Sequence, residues 1–155
     1  MTALRSLMVV LVLALVGAGA GPTAAADKPT MEEVKAITLK AAALLAADGI
    51  DKAREAFHAE GAFRQGEIYV NVIDLNGTWL IYPPNPKNEG KSVLNVRDAE
   101  GKLLVQEIIK VAKSPGEGWV EYHWLNPATN TIQPKLSYVK MVPGRDVITY
   151  VGLYK

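Results

Sequence analysis

Four tyrosines, Tyr69, Tyr82, Tyr122 and Tyr138, carry phenolic hydroxyls in or beside segments of strand composition, and three tryptophans, Trp79, Trp119 and Trp124, fall in the same stretches. A phenol gives a directed hydrogen bond and an indole gives an apolar wall, so the set suits an aromatic pocket for a small polar molecule. Taken singly, each tyrosine reads as well as a core residue whose hydroxyl meets the backbone. The group points to a pocket. Covalent and metal chemistry find little footing. With no cysteine, thiol nucleophiles and thiolate metal sites are excluded. His58 and His123 have no second histidine or spaced carboxylates near them in sequence. Ser92, Ser114 and Ser137 lack the glycine-flanked turn of a hydrolase nucleophile, and Gly116-Glu117-Gly118 is too short to cradle a phosphate. Asp74, ahead of Asn76-Gly77, reads as a turn-forming acid. No catalytic residue, metal ligand or cofactor is assigned.

The elements that would position these side chains follow from periodicity. Thr30 with Glu33 is a capping-box pattern, and Val34, Ile37, Ala41, Leu44 and Leu45 then recur at helical spacing until Asp48-Gly49. Asp51 predicts the cap of a second, short helix ending before Gly61. From Glu67 to Asp74 the run is β-branched and aromatic, a strand. Asn76-Gly77 predicts a type I′ hairpin turn, with Trp79 to Tyr82 as the returning strand stopped by Pro83, Pro84 and Pro86. Residues 83–97 form a long irregular connection of the kind that often carries function. Asp98 is expected to open a helix whose apolar stripe is Leu103, Leu104, Ile108 and Val111, ending at Pro115-Gly116. Strands follow over Gly118 to Trp124, Ile132 to Met141 and Asp146 to Tyr154, joined by turn-rich segments. The expected fold is α+β: a five-stranded antiparallel sheet with N-terminal helices and one helix inserted between its second and third strands. Alternation puts Tyr122 and Trp124 on one face and Trp119, Glu121 and His123 on the other, and separates Lys135, Ser137 and Val139 from Leu136, Tyr138 and Lys140. It does not say which face holds a ligand.

Residues 1–26 have the build of a secretory leader: Arg5, an apolar run from Leu7, and small residues ending in Ala24-Ala25-Ala26. That apolar run is shorter than the roughly 20 residues of a bilayer-spanning helix, so cleavage is expected after Ala26, leaving residues 27–155 as one domain without a stable membrane anchor. The 155-residue chain carries 17 Lys and Arg against 16 Asp and Glu, a balance with no basic footprint for nucleic acid. A leader followed by one domain predicts a periplasmic or secreted protein.

Ile68-Tyr69-Val70-Asn71-Val72-Ile73-Asp74-Leu75-Asn76-Gly77, then Tyr82-Pro83, Asn85-Pro86 and Gly90-Lys91, resemble the first half of the single Cache (sCache type 2) family of extracytoplasmic sensor domains. Gly118-Trp119-Val120-Glu121-Tyr122-His123-Trp124-Leu125-Asn126-Pro127, Pro134-Lys135, Ser137-Tyr138-Val139-Lys140 and the closing Gly152-Leu153-Tyr154 resemble its second half. The resemblance implies a PAS-like Cache fold over residues 27–155 and a small-molecule ligand, commonly a short carboxylic acid, and it is typical of input domains of chemoreceptors and sensor kinases. Lys135, on the family's Lys-x-x-Tyr pattern, becomes the expected cation for a carboxylate, although a lysine on a sheet is as readily solvent-facing. The expected ligand-binding set is Lys135, Tyr69, Tyr82, Tyr122, Trp124, Tyr138 and Trp119. Where such domains often carry His-Pro this chain has Tyr82-Pro83, so no histidine contact is carried over. Only Lys155 follows Tyr154, which favours a free periplasmic binding protein or an accessory to a membrane-bound sensor kinase or chemoreceptor. Two other readings stand beside it: a protein-interaction subunit with no ligand of its own, and a small periplasmic enzyme using a tyrosine or Glu121 as acid and base.

Overall fold

The computed structural model describes residues 28–155, and the leader expected over residues 1–26 lies outside the described residues. Helix α1, Met31–His58, begins on the expected capping box: Glu33 N–H donates to Thr30 Oγ1 at 3.2 Å and Thr30 N–H donates to Glu33 Oε2 at 2.7 Å. Gly49 interrupts it at φ 83°, ψ −179°, a conformation that glycine adopts without a Cβ penalty. The two expected helices are therefore two arms about a kink. Their buried stripe is Val34, Ala41, Ala42, Leu45, Ala53 and Phe57.

Strands β1 (Arg64–Gln65) and β2 (Ile68–Tyr69) form a small antiparallel ladder, and the chain passes through Val70 into β3 (Asn71–Asp74). The single strand expected from Glu67 to Asp74 is thus shared between two sheets. β4 (Trp79–Ile81) returns antiparallel to β3. The turn between them is not type I′, because only Gly77, at φ 76°, has positive φ. Asp74 Oδ1 instead accepts from the N–H groups of Asn76 and Thr78 at 2.9 and 2.8 Å and shapes residues 75–78 into a longer loop. The connection after β4 contains a short 3-10 turn, Pro86–Asn88, and folds back on the hairpin through Val93 N–H to Gly77 C=O and Gly90 N–H to Trp79 C=O, both 2.7 Å.

Helix α2 is Leu104–Lys113, and Asp98 does not open it. Its carboxylate is fully buried and accepts from the backbone N–H groups of Glu100 (2.9 Å), Lys102 (2.8 Å) and His123 (3.0 Å). A short acidic side chain competes with helix by bonding nearby backbone, and here it closes a turn and fastens it to the neighbouring strand. Burial alone would raise the Asp98 pKa, but the three backbone donors outweigh it and hold the carboxyl below its usual range. The stability it contributes is present above its unfolded-state pKa and is lost as pH falls through the lower folded-state value. Asp98→Ala, which strands those donors, is expected to cost about 1–3 kcal/mol in urea unfolding.

Strands β5 (Glu117–Asn126), β6 (Thr131–Met141) and β7 (Val147–Tyr154) complete the main sheet. Its order is β4-β3-β7-β6-β5, with every pair antiparallel. The C-terminal strand therefore lies at the centre, clasped between β3 and β6. α1 covers one face, where Val70, Val72, Ile81, Tyr138 and Val151 meet its apolar stripe. α2 and the long connection cover the other, where Leu104, Val105, Ile108 and Val93 meet Ile73, Tyr122, Val139 and Tyr150. α2 follows the second strand of this sheet and precedes the third, as expected.

Candidate functional site

The face beneath α2 and the long connection holds the chemistry. Register aligns Tyr122 of β5 with Lys135 of β6, and Lys135 with Tyr154 of β7, so alternation turns all three to the same side. Lys135 is 1% exposed. Its ammonium lies 3.9 Å from the ring centroid of Tyr69 and 4.6 Å from that of Tyr154, and donates to Tyr154 Oη at 3.4 Å. Tyr154 Oη is 3.0 Å from Tyr69 Oη and donates to the Leu125 carbonyl at 2.8 Å. No ion pair among the described residues includes Lys135. A buried cation held by π-faces and a hydroxyl alone is only partly compensated for its lost hydration. Burial lowers the Lys135 pKa to about 7, against an opposing pull from the charge of Glu67.

The neighbouring aromatics enclose a small cavity lined by Tyr69, Trp79, Tyr82, Tyr122, Trp124 and Tyr150, with Asn71 among the polar groups. Its volume is about 10 Å³, room for about one water. Trp79 stacks on Tyr82 at 4.1 Å between centroids, and Trp124 Nε1 donates to Tyr82 Oη at 3.3 Å. Tyr122 Oη is 2.9 Å from Ser137 Oγ, and Trp79 Nε1 donates to Tyr150 Oη at 3.4 Å. Burial is the first cause that raises the pKa of Tyr69, Tyr82, Tyr122, Tyr150 and Tyr154 above the ordinary phenol value, so these hydroxyls stay protonated near neutral pH. The arrangement offers hydroxyl and indole donors around a small apolar space with one cation at its side. Lys135 itself does not line the cavity; it meets it through Tyr69.

Of the seven residues singled out from sequence, Lys135, Tyr69, Tyr82, Tyr122 and Trp124 come together here. Trp119 and Tyr138 do not. They stand on the α1 face, 4.9 Å apart in an edge-on pair, with the Lys35 ammonium 5.1 Å from the Tyr138 centroid. The reason is the strand period: each lies an odd number of residues from the site members of its own strand. Glu121, weighed above as an acid and base, is exposed and ion-paired with Lys155 at 2.8 Å. Tyr150, Tyr154 and Asn71 belong to the site but went unselected. The spacing Tyr150-x-Gly152-x-Tyr154 was the available signal, but only the central placement of β7 makes it point here. Among the described residues no cluster of three metal-ligating side chains could hold a metal ion, and no helix is long and apolar enough to cross a membrane.

The fold as a whole finds its counterpart in known proteins. The family described as Single Cache domain 2 matches residues 30–155. The chain belongs to that family. Solved relatives of this Cache domain include a "Periplasmic sensor domain of chemotaxis protein" (29% identity, TM-score 0.62, covering 79% of this chain and 88% of that one). Another, described as "Structural basis for carboxylic acid recognition by a Cache chemosensory domain", has 26% identity and a TM-score of 0.64, covering 79% and 86%. A methyl-accepting chemotaxis protein of Vibrio parahaemolyticus shares the fold at 22% identity and TM-score 0.63, covering 80% and 82%. Over 86 residues the chain is 30% identical to the sensor histidine kinase MctS of Rhizobium johnstonii and 27% identical to the methyl-accepting chemotaxis protein McpP of Pseudomonas putida, in each case 56% of this chain. It spans 18% and 16% of those two proteins.

Proposed function

We propose that this Cache domain is a periplasmic sensor module that binds a short organic carboxylate on the α2 face of the sheet, with Lys135 as its counter-charge. Tyr69, Tyr82, Tyr122 and Trp124 supply the surrounding hydrogen bonds and apolar walls. The observation that carries this reading is the Lys135 ammonium, buried and without an ion-pair partner among the described residues. An anionic ligand would provide what burial has removed. The relative described by its carboxylic acid recognition supports the choice of ligand class. A space of about 10 Å³ is too small for even a two-carbon acid, so binding must displace part of the wall. The long connection contributes Val93 and Val96 to that wall from outside the strands and helices, and is the part expected to move. Such a displacement is what a sensor needs to report occupancy to a membrane-bound kinase or chemoreceptor.

Titration calorimetry with two- to four-carbon carboxylates, beside amino acids and purines, tests the proposal. One carboxylate class is expected to bind saturably and to raise the melting temperature, since a ligand selective for the folded state stabilises it by mass action. Lys135→Ala should abolish this binding while remaining folded. Affinity is expected to be flat from about pH 6 to about pH 7, where Lys135 already carries its proton and the ligand carboxyl has lost its own. Above that it should weaken by about tenfold per pH unit, until the raised pKa of the occupied site is passed. Saturable binding that survives Lys135→Ala unchanged would refute the assignment. Absence of binding in every class would favour a protein-interaction role.

A further inference from the structure

Glu67 precedes β2 and was not selected by any sequence argument. Its Oε1 is buried and accepts no hydrogen bond. Its Oε2 accepts from Asn126 Nδ2 at 3.3 Å, and the same Nδ2 donates to Gln133 Oε1 at 2.8 Å. Asn126 is 2% exposed and follows Leu125, whose carbonyl takes the Tyr154 hydroxyl. Tyr154 in turn takes the Lys135 ammonium. The adjacent residues Leu125 and Asn126 thus hold, by separate hydrogen bonds, the hydroxyl partner of the Lys135 ammonium and a carboxylate with a free oxygen, and among the described residues no ion pair joins Lys135 to Glu67.

We propose that Glu67 is a remote counter-ion that keeps the Lys135 ammonium charged without occupying it. A direct ion pair would compensate Lys135 and close it to other anions. At a distance, the carboxylate lends a favourable field through a dry medium and leaves the ammonium's near side available. Glu67 is suited to the task because its outer side borders a cleft of about 520 Å³ between α1 and the β1–β2 ladder, lined also by Ile37, Lys40 and Gln65. The other titratable groups around Lys135 are Tyr69 from β2, Tyr154 from β7 and Tyr122 from β5. All three are phenols that burial keeps neutral, and α2 brings only apolar side chains to this face. Glu67 is the carboxylate whose charge raises the Lys135 pKa, and thus the one that offsets part of the burial effect. It is a positioning residue: it acts through Lys135, not on the ligand.

The consequence for carboxylate binding rests on the function proposed above, but the test does not require a ligand. Lys135 is titrated by NMR through its side-chain ε-carbon in the wild-type chain, Glu67→Gln and Glu67→Asp. Its midpoint is expected to fall by about one pH unit in Glu67→Gln, and by less in Glu67→Asp, which keeps the charge one methylene further back. If Glu67→Gln folds poorly, the smaller fall in Glu67→Asp carries the same information. An unchanged Lys135 midpoint in the folded variants would overturn the proposal. Repeating the titrations with propionate separates the two readings. If propionate binds, the pH at which its affinity begins to fall should shift with the Lys135 midpoint. If it does not bind while the midpoint still moves, the ligand assignment fails and the counter-ion role stands.

Discussion

Replacing Lys135 by methionine is expected to make the unliganded protein more stable by about 1–4 kcal/mol at pH 7 while removing the proposed affinity for short carboxylates. Methionine fills a similar volume with no charge to desolvate, and exchanging a poorly compensated buried ion for an apolar side chain is often stabilising by this amount. The effect has a pH signature. Burial brings the Lys135 pKa to about 7 in the folded protein, from its ordinary value of 10.5. Between those values the unfolded chain binds a proton that the folded protein lacks, so wild-type stability rises with pH. Below about pH 7 the lysine costs the most and adds no further slope; above about pH 10.5 it is neutral in both states and the cost is gone. The gap between Lys135→Met and wild type should therefore be widest at and below pH 7 and close towards pH 10. Urea unfolding across this range measures it. A variant that is less stable than wild type at pH 6 would show that Lys135 earns more from the Tyr69 and Tyr154 rings than burial takes.

Gly152→Ala should damage both stability and the site from the opposite direction. Gly152 of β7 sits opposite Ser137 of β6, and the Lys135 side chain runs across it. A Cβ there would collide with Ser137 Oγ and stand 2.5 Å from Lys135 Cε and 3.0 Å from Lys135 Cγ. These atoms lie in the sheet centre, where overpacking has no free volume to relax into, so a loss of about 1–3 kcal/mol is expected in urea unfolding. Because the atoms displaced are those that carry the ammonium, the variant should also lose carboxylate affinity and shift the Lys135 midpoint. If stability, affinity and midpoint all match wild type, the packing of Lys135 over Gly152 is wrong. This separates a steric requirement for glycine from a conformational one: Gly152 is absent from the positive-φ glycines, whereas Gly49 and Gly77 are among them.

Much of the architecture was legible before the fold was seen. The Thr30–Glu33 cap, the break at Gly49, the strands ending at Met141 and Tyr154, and the helix between the second and third strands of the sheet all rest on local signals. Capping residues, glycine and the two periods act within a few residues, so the order along the chain carries them intact. Errors arose where a local rule had two outcomes. Asp98 fits a helix start and an Asx-type turn equally well, and contact with His123 of β5 selected the turn. Asp74 likewise took control of a turn that Asn76-Gly77 alone would have made tighter.

For the site, residue types alone indicated that an aromatic, tyrosine-rich set without thiols would line any pocket, and the family resemblance pointed to Lys135 as its cation. Alternation separated Tyr122 and Trp124 from Trp119, and Lys135 from Tyr138, without naming the useful face. The packing of the helices settled that, with α1 over Trp119 and Tyr138 and α2 over Tyr122, on whose side of the sheet Lys135 also lies. The pairing of β7 between β3 and β6 also brought Tyr154 and Tyr150 to the site. Periodicity belongs to one strand at a time, whereas burial of a charge, and the partners that compensate it, arise from the register between strands far apart in the chain. That is why the type of residue could be read in advance, while the unpaired state of Lys135 and its distant tie to Glu67 could not.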